Sequence, residues 1–415
     1  MEEYSKPAPI TKKFLTPGVI ILIILAINGL IFLAIRFIWG LGTVTNLDNQ
    51  HPWGIWIAID VAAGVALAAG GFTTAALGHI MHQDKYEVVI RPALLTAMLG
   101  YTFVAFGVCI DLGRYYSVWH PLLPTMWNGN SALFEVGMCV MAYLTVLYIE
   151  FLPIVTNRFL GNVRLPGGLS KLNKAVDRIL GFLDDKLSKT MFIFIILGVV
   201  LSCLHQSSLG TLMVIAGSKM HPLWQTPILP LLFLLSAISV GFPMVIMESI
   251  ISSRSFGLKP EIDVLSRLAR MIGPLLAIYL AFKLGDMFIR ETFVYFKEFT
   301  SESMMYFLEL FIGVIIPIRI FFSQKVLHSP GWLFTGSMLV ILGVLINRIN
   351  AFLIAYNPPY AINAYFPSIG EISVTLGFIS FEVLLYRAFV KIFPVISVPD
   401  KTLLPKTKYA IKGLS

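Results

Sequence analysis

Six residues in this sequence carry most of its chemistry: Asp60, Asp111, Arg114, Glu135, His205 and Gln206. Each lies in or at the end of a long apolar run, where a central Asp or Arg costs roughly 2.5 to 3.5 kcal/mol to insert. At a helical rise of 1.5 Å per residue, Asp60 and Glu135 fall about 10 Å below the same membrane surface. Asp111 and Arg114 sit near the outer end of the intervening run, and "SCLHQSSLGTLM" brings His205 and Gln206 into the outer third of the bilayer. Acid, amide and imidazole in one layer suit binding a polar head group and protonating it. Singly, two of them have plainer readings. Asp111 and Arg114 at i and i+3 can neutralise each other, and His205 can be a core histidine bonded to a hydroxyl. No one local pair accounts for Asp60, Glu135, His205 and Gln206 together.

A second set of groups can relay protons: His79, Tyr101, Tyr143, Glu150, Ser202, Glu248, Glu382 and Tyr386 toward the inner surface, with Glu309 in the second half of the chain. Their plain reading is an aromatic belt for the tyrosines and solvated helix ends for Glu150 and Glu248. A b-type haem between helices needs two imidazoles at one depth. Of the seven histidines, His51, His120 and His221 lie in outer connections and His82 and His328 in inner ones, leaving His79 and His205 at opposite ends of the membrane. Cys109, Cys139 and Cys203 have no partner at ligand spacing, so neither haem nor an iron-sulfur cluster is expected in this chain.

The elements that must hold these groups follow from composition. The chain is 57% hydrophobic and 13% charged, with a mean hydropathy of +0.81, far from the quarter or so of charged residues usual in soluble domains. It reads as an all-α integral membrane protein with about ten transmembrane helices, near 17–39, 53–80, 92–115, 130–153, 190–216, 226–252, 265–290, 303–323, 331–356 and 370–394. The first run is long enough to be retained as a helix, with no cleavage signal after it. The net charge of +8 is concentrated in connections on the side of the N-terminus, which predicts that both termini are cytoplasmic and, in a membrane protein, calls for no nucleic-acid partner. Residues 157–189 carry an amphipathic pattern, "LSKLNKAVDRILGFLDDKL", that suits a helix lying on anionic headgroups. Asp111 and Asp286, and Glu135 and Glu309, recur at matching places in two sets of four runs. This predicts two four-helix bundles, 53–216 and 226–356, with peripheral helices in 1–52 and 357–415.

The stretches "HPWGIWIAIDVAAGVALAAGGF", "RPALLTAMLGYTFVAFGVCIDLGRYYSVWH", "NGNSALFEVGMCVMAYL", "LHQSSLGTLM" with "HPLWQ", and "NPPYAINAYFPSIGEISVTLGFISFE" resemble the NrfD/PsrC-like membrane subunits. The nearest branches are the hydrogenase-2 type (HybB) and the periplasmic menaquinone reductase complexes. The resemblance implies a haem-free, quinone-interacting subunit. It would dock a periplasmic ferredoxin-like iron-sulfur protein beside further catalytic or cytochrome subunits, and pass electrons to or from menaquinone. It also implies a quinone head group near the periplasmic end of the first bundle, where depth counting places Asp60, Glu135 and His205. His205 and Asp60 are then the candidates for bonding or protonating the quinone, with Gln206, Asp111, Arg114 and Glu135 shaping the site. Two readings from other classes stand beside it: a secondary transporter built from duplicated bundles with buried carboxylates, and a structural anchor.

Overall fold

The computed structural model describes residues 5–80, 86–164, 166–362 and 364–399, without the side chains of 79, 80, 87, 167–169 and 399. Ten helices among them are long and apolar enough to cross a membrane: α1 (Pro17–Trp39), α2 (Trp56–Gly78), α3 (Val88–Asp111), α4 (Ala132–Phe159), α5 (Asn173–Ala216), α6 (Leu229–Phe256), α7 (Ile262–Ile289), α8 (Ser301–Phe321), α9 (Pro330–Ile354) and α10 (Ile369–Ile392). Their ends are set by local chemistry. Thr16 caps α1 through its hydroxyl, which accepts from the Val19 N–H, with Pro17 at the first helical position. Thr300 and Ser368 form capping boxes at the starts of α8 and α10.

Helices α2 to α5 pack as one bundle and α6 to α9 as a second, and the two meet where α5 packs on α6 and α2 packs on α6 and α9. The outer pair α1 and α10 leans on α2 and α3. The crossing within that pair is close: a Cβ built on Gly29 would stand 2.8 Å from the Gly377 Cα, so the two backbones touch. Two short strands, β1 (Ser5–Pro7) and β2 (Ser397–Pro399), pair antiparallel with Ser5 opposite Pro399. Both ends of the described chain therefore share one face. Arg387 of α10 fixes the N-terminal segment there by donating to the Lys13 and Phe14 carbonyls and to Ser255 Oγ.

Three features depart from the sequence reading. The amphipathic stretch is not a separate surface helix but the first part of α5, a single helix of 44 residues, about 66 Å long. About 20 residues cross the bilayer, so α5 projects beyond it. It is held upright by α4, which runs on through Pro153 to Phe159. The Thr156 hydroxyl donates to Asp184 at 2.8 Å and the Gly161 N–H to Asp177 at 2.7 Å. The outer end of α3 stops at Asp111 rather than near residue 115. Four helical stretches are wound as π-helix: Trp56–Ala63, Ala76–Ile80, Phe311–Ile315 and Asn350–Ile354. Such widened turns re-aim side chains and recur at functional sites.

Candidate functional site

Asp60 is carried by the π-helical start of α2, and its Oδ2 accepts a 2.7 Å hydrogen bond from Thr375 of α10. Above it, Glu371 ties α10 to the connection between α1 and α2. The buried carboxylate accepts from the Asn46 and Ser368 N–H groups and, at 2.5 Å, from the Tyr365 hydroxyl, while its carbonyl accepts from Trp56 Nε1. Asp111 stands at the C-terminus of α3, its buried Oδ1 without a hydrogen-bond partner among the described residues. The cation beside it comes from α1. Arg36, 1% exposed, donates to the Ile110 and Leu112 carbonyls at 2.7 and 2.5 Å, capping the carbonyl end of α3 where a cation is favoured. Arg114 lies beyond the helix and is exposed, so the i, i+3 arrangement with Asp111 is replaced by the partner from α1.

His205 is fully buried in α5, and neither ring nitrogen has a hydrogen-bond partner among the described residues. Tyr101 of α3 stands edge-on to it with ring centroids 5.7 Å apart, and Tyr143 of α4 stands edge-on to Tyr101 at 4.5 Å. The Tyr101 hydroxyl, Ser202 Oγ and Gln206 Oε1 are buried beside it and close enough to one another to interact. Gln206 fixes the level of this group by donating from Nε2 to the Val65 carbonyl of α2 at 2.9 Å. One turn outward, Ser208 donates to Glu135 of α4 at 2.6 Å, and Glu135 itself is exposed on the bundle surface.

These candidates thus form two groups. Asp60 and Asp111 belong to the α1, α2, α3 and α10 side, and His205, Gln206 and Glu135 to the α3, α4 and α5 side. No hydrogen bond or ring contact described joins Asp60 to His205. Asp60 is level with Gly107 of α3, whereas His205 meets Tyr101, six residues further in, or about 9 Å.

The relay candidates separate similarly. Glu382 packs on α3, where a Cβ built on Gly100 would lie 3.4 Å from its Oε1, and it is within electrostatic reach of both Asp60 and Glu248. Glu248 and Tyr386 line a cavity of about 50 Å³ together with Ser249, Ser252 and Lys259, on the face that carries the termini. Glu150 rests against Gly198 of α5. Glu309 is remote from all of these, paired with Lys283 in the second bundle. The His79 side chain and His82 lie outside the described residues. Sequence reasoning missed Arg36, Thr375, Lys283 and Arg348. All four are polar or charged residues in apolar runs and carried a signal of their own. The partners of Arg36, two backbone carbonyls, carried none.

Among the described side chains no two histidines face each other: His205 faces Tyr101, His51 pairs with Asp48 in the α1–α2 connection, His120 stands edge-on to Trp119, His221 accepts from the Leu223 N–H, and His328 meets Ser266 at the other face. No group of three or more His, Cys, Asp or Glu able to hold a metal ion occurs among the described residues.

The architecture defines a multi-pass helical membrane protein with a polar, incompletely bonded interior in its first bundle. Residues 43–357 match the family described as polysulphide reductase, NrfD, and the chain belongs to that family. It is 35% identical to a protein of Nitratidesulfovibrio vulgaris, over 93% of this chain and 96% of that one. It is 31% identical to the probable Ni/Fe-hydrogenase 2 b-type cytochrome subunit of Escherichia coli, over 94% and 95%. It is also similar to the menaquinone reductase integral membrane subunit of Nitratidesulfovibrio vulgaris, 25% identical over 86% of each. The family is that of membrane subunits of oxidoreductase complexes, which supports a redox role for this chain.

Proposed function

We propose that this chain is the haem-free membrane subunit of a respiratory oxidoreductase in the bacterial inner membrane. It passes electrons between an iron-sulfur subunit on the face opposite the termini and menaquinone in the bilayer. The observation that carries the reading is the pair of unpartnered ring nitrogens of His205 in a buried polar setting. Leaving a buried donor or acceptor unmet costs about 1–3 kcal/mol each, and both ring nitrogens of His205 are left so, beside the Tyr101 and Ser202 hydroxyls and Gln206 Oε1. A quinone carbonyl entering there satisfies the imidazole, which donates from one nitrogen. Asp60, about 9 Å further out on the other side of α3 and within electrostatic reach of Glu382, passes protons toward that site rather than touching the head group held at His205. Gln206 holds the register between α2 and α5, and Glu135, exposed beside Ser208, marks the side facing lipid. Asp111 and Arg114 border the outer rim.

Menaquinone as the substrate is supported by the name of the menaquinone reductase relative. Cys109, Cys139 and Cys203 stand on three different helices, which leaves the electron carrier to a partner. The face opposite the termini exposes Tyr116, Trp119, Leu122, Met126 and Trp127, a surface suited to covering by that partner. Each quinone reduced takes up two electrons and two protons. The cavity at Glu248 and Tyr386, followed inward by Glu382, supplies the protons from the face of the termini. With that face cytoplasmic, electrons and protons arrive from opposite sides, and each charge crossing is worth about 2.3 kcal/mol per 100 mV.

The test is substitution in the assembled complex. His205→Leu and Asp60→Asn are expected to leave the iron-sulfur partner bound and reducible while quinone turnover falls by about 10² to 10⁴. Ser207→Ala is the control, because that hydroxyl donates only to the Cys203 and Leu204 carbonyls of its own helix. Wild-type turnover in both site variants would remove the proposed site.

A further inference from the structure

The seam between α4 and α5 carries a file of polar groups that ends at His205. Gly198, Ser202, His205 and Gln206 recur at helical spacing on α5, so they share one face, and all four are buried. On α4, Tyr143 and Glu150 stand two turns apart, Tyr143 buried and Glu150 half-buried. Glu150 is received where α5 has no side chain. A Cβ built on Gly198 would stand 2.7 Å from Glu150 Oε1 and 3.5 Å from Tyr143 Cε2, the ring carbon next to the one that bears the hydroxyl. A glycine inside a helix costs about 1 kcal/mol relative to alanine, and here it leaves the carboxyl room to lie against α5 beside the tyrosine. Further out, Ser202 is within reach of both the Tyr143 and Tyr101 hydroxyls, and Tyr101 is within reach of Gln206 as well. Tyr101 then stands edge-on to His205. Carboxyl, phenol, hydroxyl, phenol and imidazole thus follow one another over the roughly 10 Å of α5 from Gly198 to His205.

Toward the face of the termini the seam stays polar. Pro153 has no N–H to offer the carbonyl of Ile149, the neighbour of Glu150. One turn further in, Thr156 donates to Asp184, which is exposed to solvent. Glu150 is therefore the acid at which this seam passes from water into the apolar part of the bundle. The route by Glu382 and Asp60 lies on the other side of α3, and no hydrogen bond described joins it to His205. A quinone takes up two protons, and the seam gives the second a line of its own.

We propose that Glu150 is the proton donor that serves His205, by way of Tyr143, Ser202 and Tyr101, and that it supplies one of the two protons of each quinone reduced, which rests on the reading of His205 as the quinone site. On delivery the O–H bond of the Glu150 carboxyl breaks and its proton goes to the Tyr143 oxygen. Tyr143 gives its own proton to Ser202, Ser202 to Tyr101, and Tyr101 to one ring nitrogen of His205, whose other nitrogen gives its proton to the reduced quinone oxygen. Every hydroxyl and the imidazole end neutral, and Glu150 is left as a carboxylate that reloads from water at the face of the termini. The electrons come from the iron-sulfur partner. Protons thus enter at one end of the file and are consumed at the other.

The test uses the intact complex in vesicles. Glu150→Gln is expected to lower kcat for quinone by at least about tenfold and to leave KM within about twofold, because Glu150 lies roughly 10 Å from the head group. Acetate, a weak acid that can carry protons to the vacated place, should restore that variant several-fold and leave His205→Leu unchanged. Gly198→Ala keeps the carboxyl but fills the place it occupies. It is expected to lose turnover as Glu150→Gln does, with a thermal midpoint no lower than wild type, since alanine is the better helix former. Tyr148→Phe is the control, because its hydroxyl meets Thr102 on the exposed side of α4, and it should stay within about twofold of wild type. Wild-type kcat in Glu150→Gln or in Gly198→Ala overturns the proposal, as does a loss in Glu150→Gln that acetate does not relieve. Should Glu150→Gln not assemble, Gly198→Ala decides alone. If His205→Leu keeps its turnover, the quinone site fails and the relay with it. If His205→Leu loses turnover while Glu150→Gln does not, the quinone site stands and only the relay falls.

Discussion

Arg36 shows how far residue types alone can be read. An ionisable group inside an apolar run announces itself, and on that basis Asp60, Glu135 and His205 were legible as candidates. Their partners were not. Thr375 meets Asp60 across 315 positions of sequence, and Arg36 reaches carbonyls more than 70 positions away. Depth counting gives a residue's level along its own helix but not the helices it faces, so Asp60 and His205, aligned in one layer on paper, fall on different sides of α3. Arg114, beside Asp111 in sequence, ends in solvent. Replacing Arg36 by Met strips the C-terminal carbonyls of α3 of both donors, and each lost bond costs about 1–3 kcal/mol. Arg36→Met is therefore expected to lower the thermal unfolding midpoint of the detergent-solubilised protein by several degrees, with Arg114→Gln unchanged within error. Equal midpoints for the two variants would contradict the assignment of Arg36 as the cap.

At the scale of elements, hydropathy alone found all ten crossings, because twenty apolar residues have few other uses. It did not find the π-helical turns, which depend on how a side chain is accommodated by a neighbouring helix, nor the continuation of α5 below the membrane. Amphipathicity there reported one apolar stripe but not whether lipid or α4 would cover it. The contact of Gly313 with Gly343 was similarly hidden. A Cβ built on either glycine runs into the other's backbone, so α8 and α9 cross at contact distance beside the π-helical turn that follows Glu309. Gly343→Val is expected to force the pair apart and destabilise by about 1–3 kcal/mol, as overpacking does. Gly285→Val, at a helical glycine with open space around it, changes intrinsic propensity in the same way without the collision. Thermal denaturation of the two in the same detergent measures the difference, and equal stability would mean that the crossing is not a tight one.

The ends of the described chain and most of its basic connections share one face of the molecule. The pairing of β1 with β2 puts both ends of the described chain together, so an even number of crossings is built into the structure. The α4–α5 connection and the adjoining start of α5, on that same face, hold Arg164, Lys171, Lys174 and Arg178, and the α6–α7 region adds Arg254, Lys259 and Arg267. Basic residues in short connections are retained in the cytoplasm, and the cavity at Glu248 and Tyr386 opens where cytoplasmic protons are then available. The prediction is that this face is cytoplasmic, and single cysteines can decide it once Cys109, Cys139 and Cys203 are replaced. In intact cells that express this subunit without its partners, a membrane-impermeant maleimide should label Trp127→Cys, on the exposed outer connection. It should leave Lys174→Cys, at the exposed start of α5, unlabelled until the membrane is permeabilised. The reverse pattern would invert the molecule, and with it the supply of electrons from one side and protons from the other.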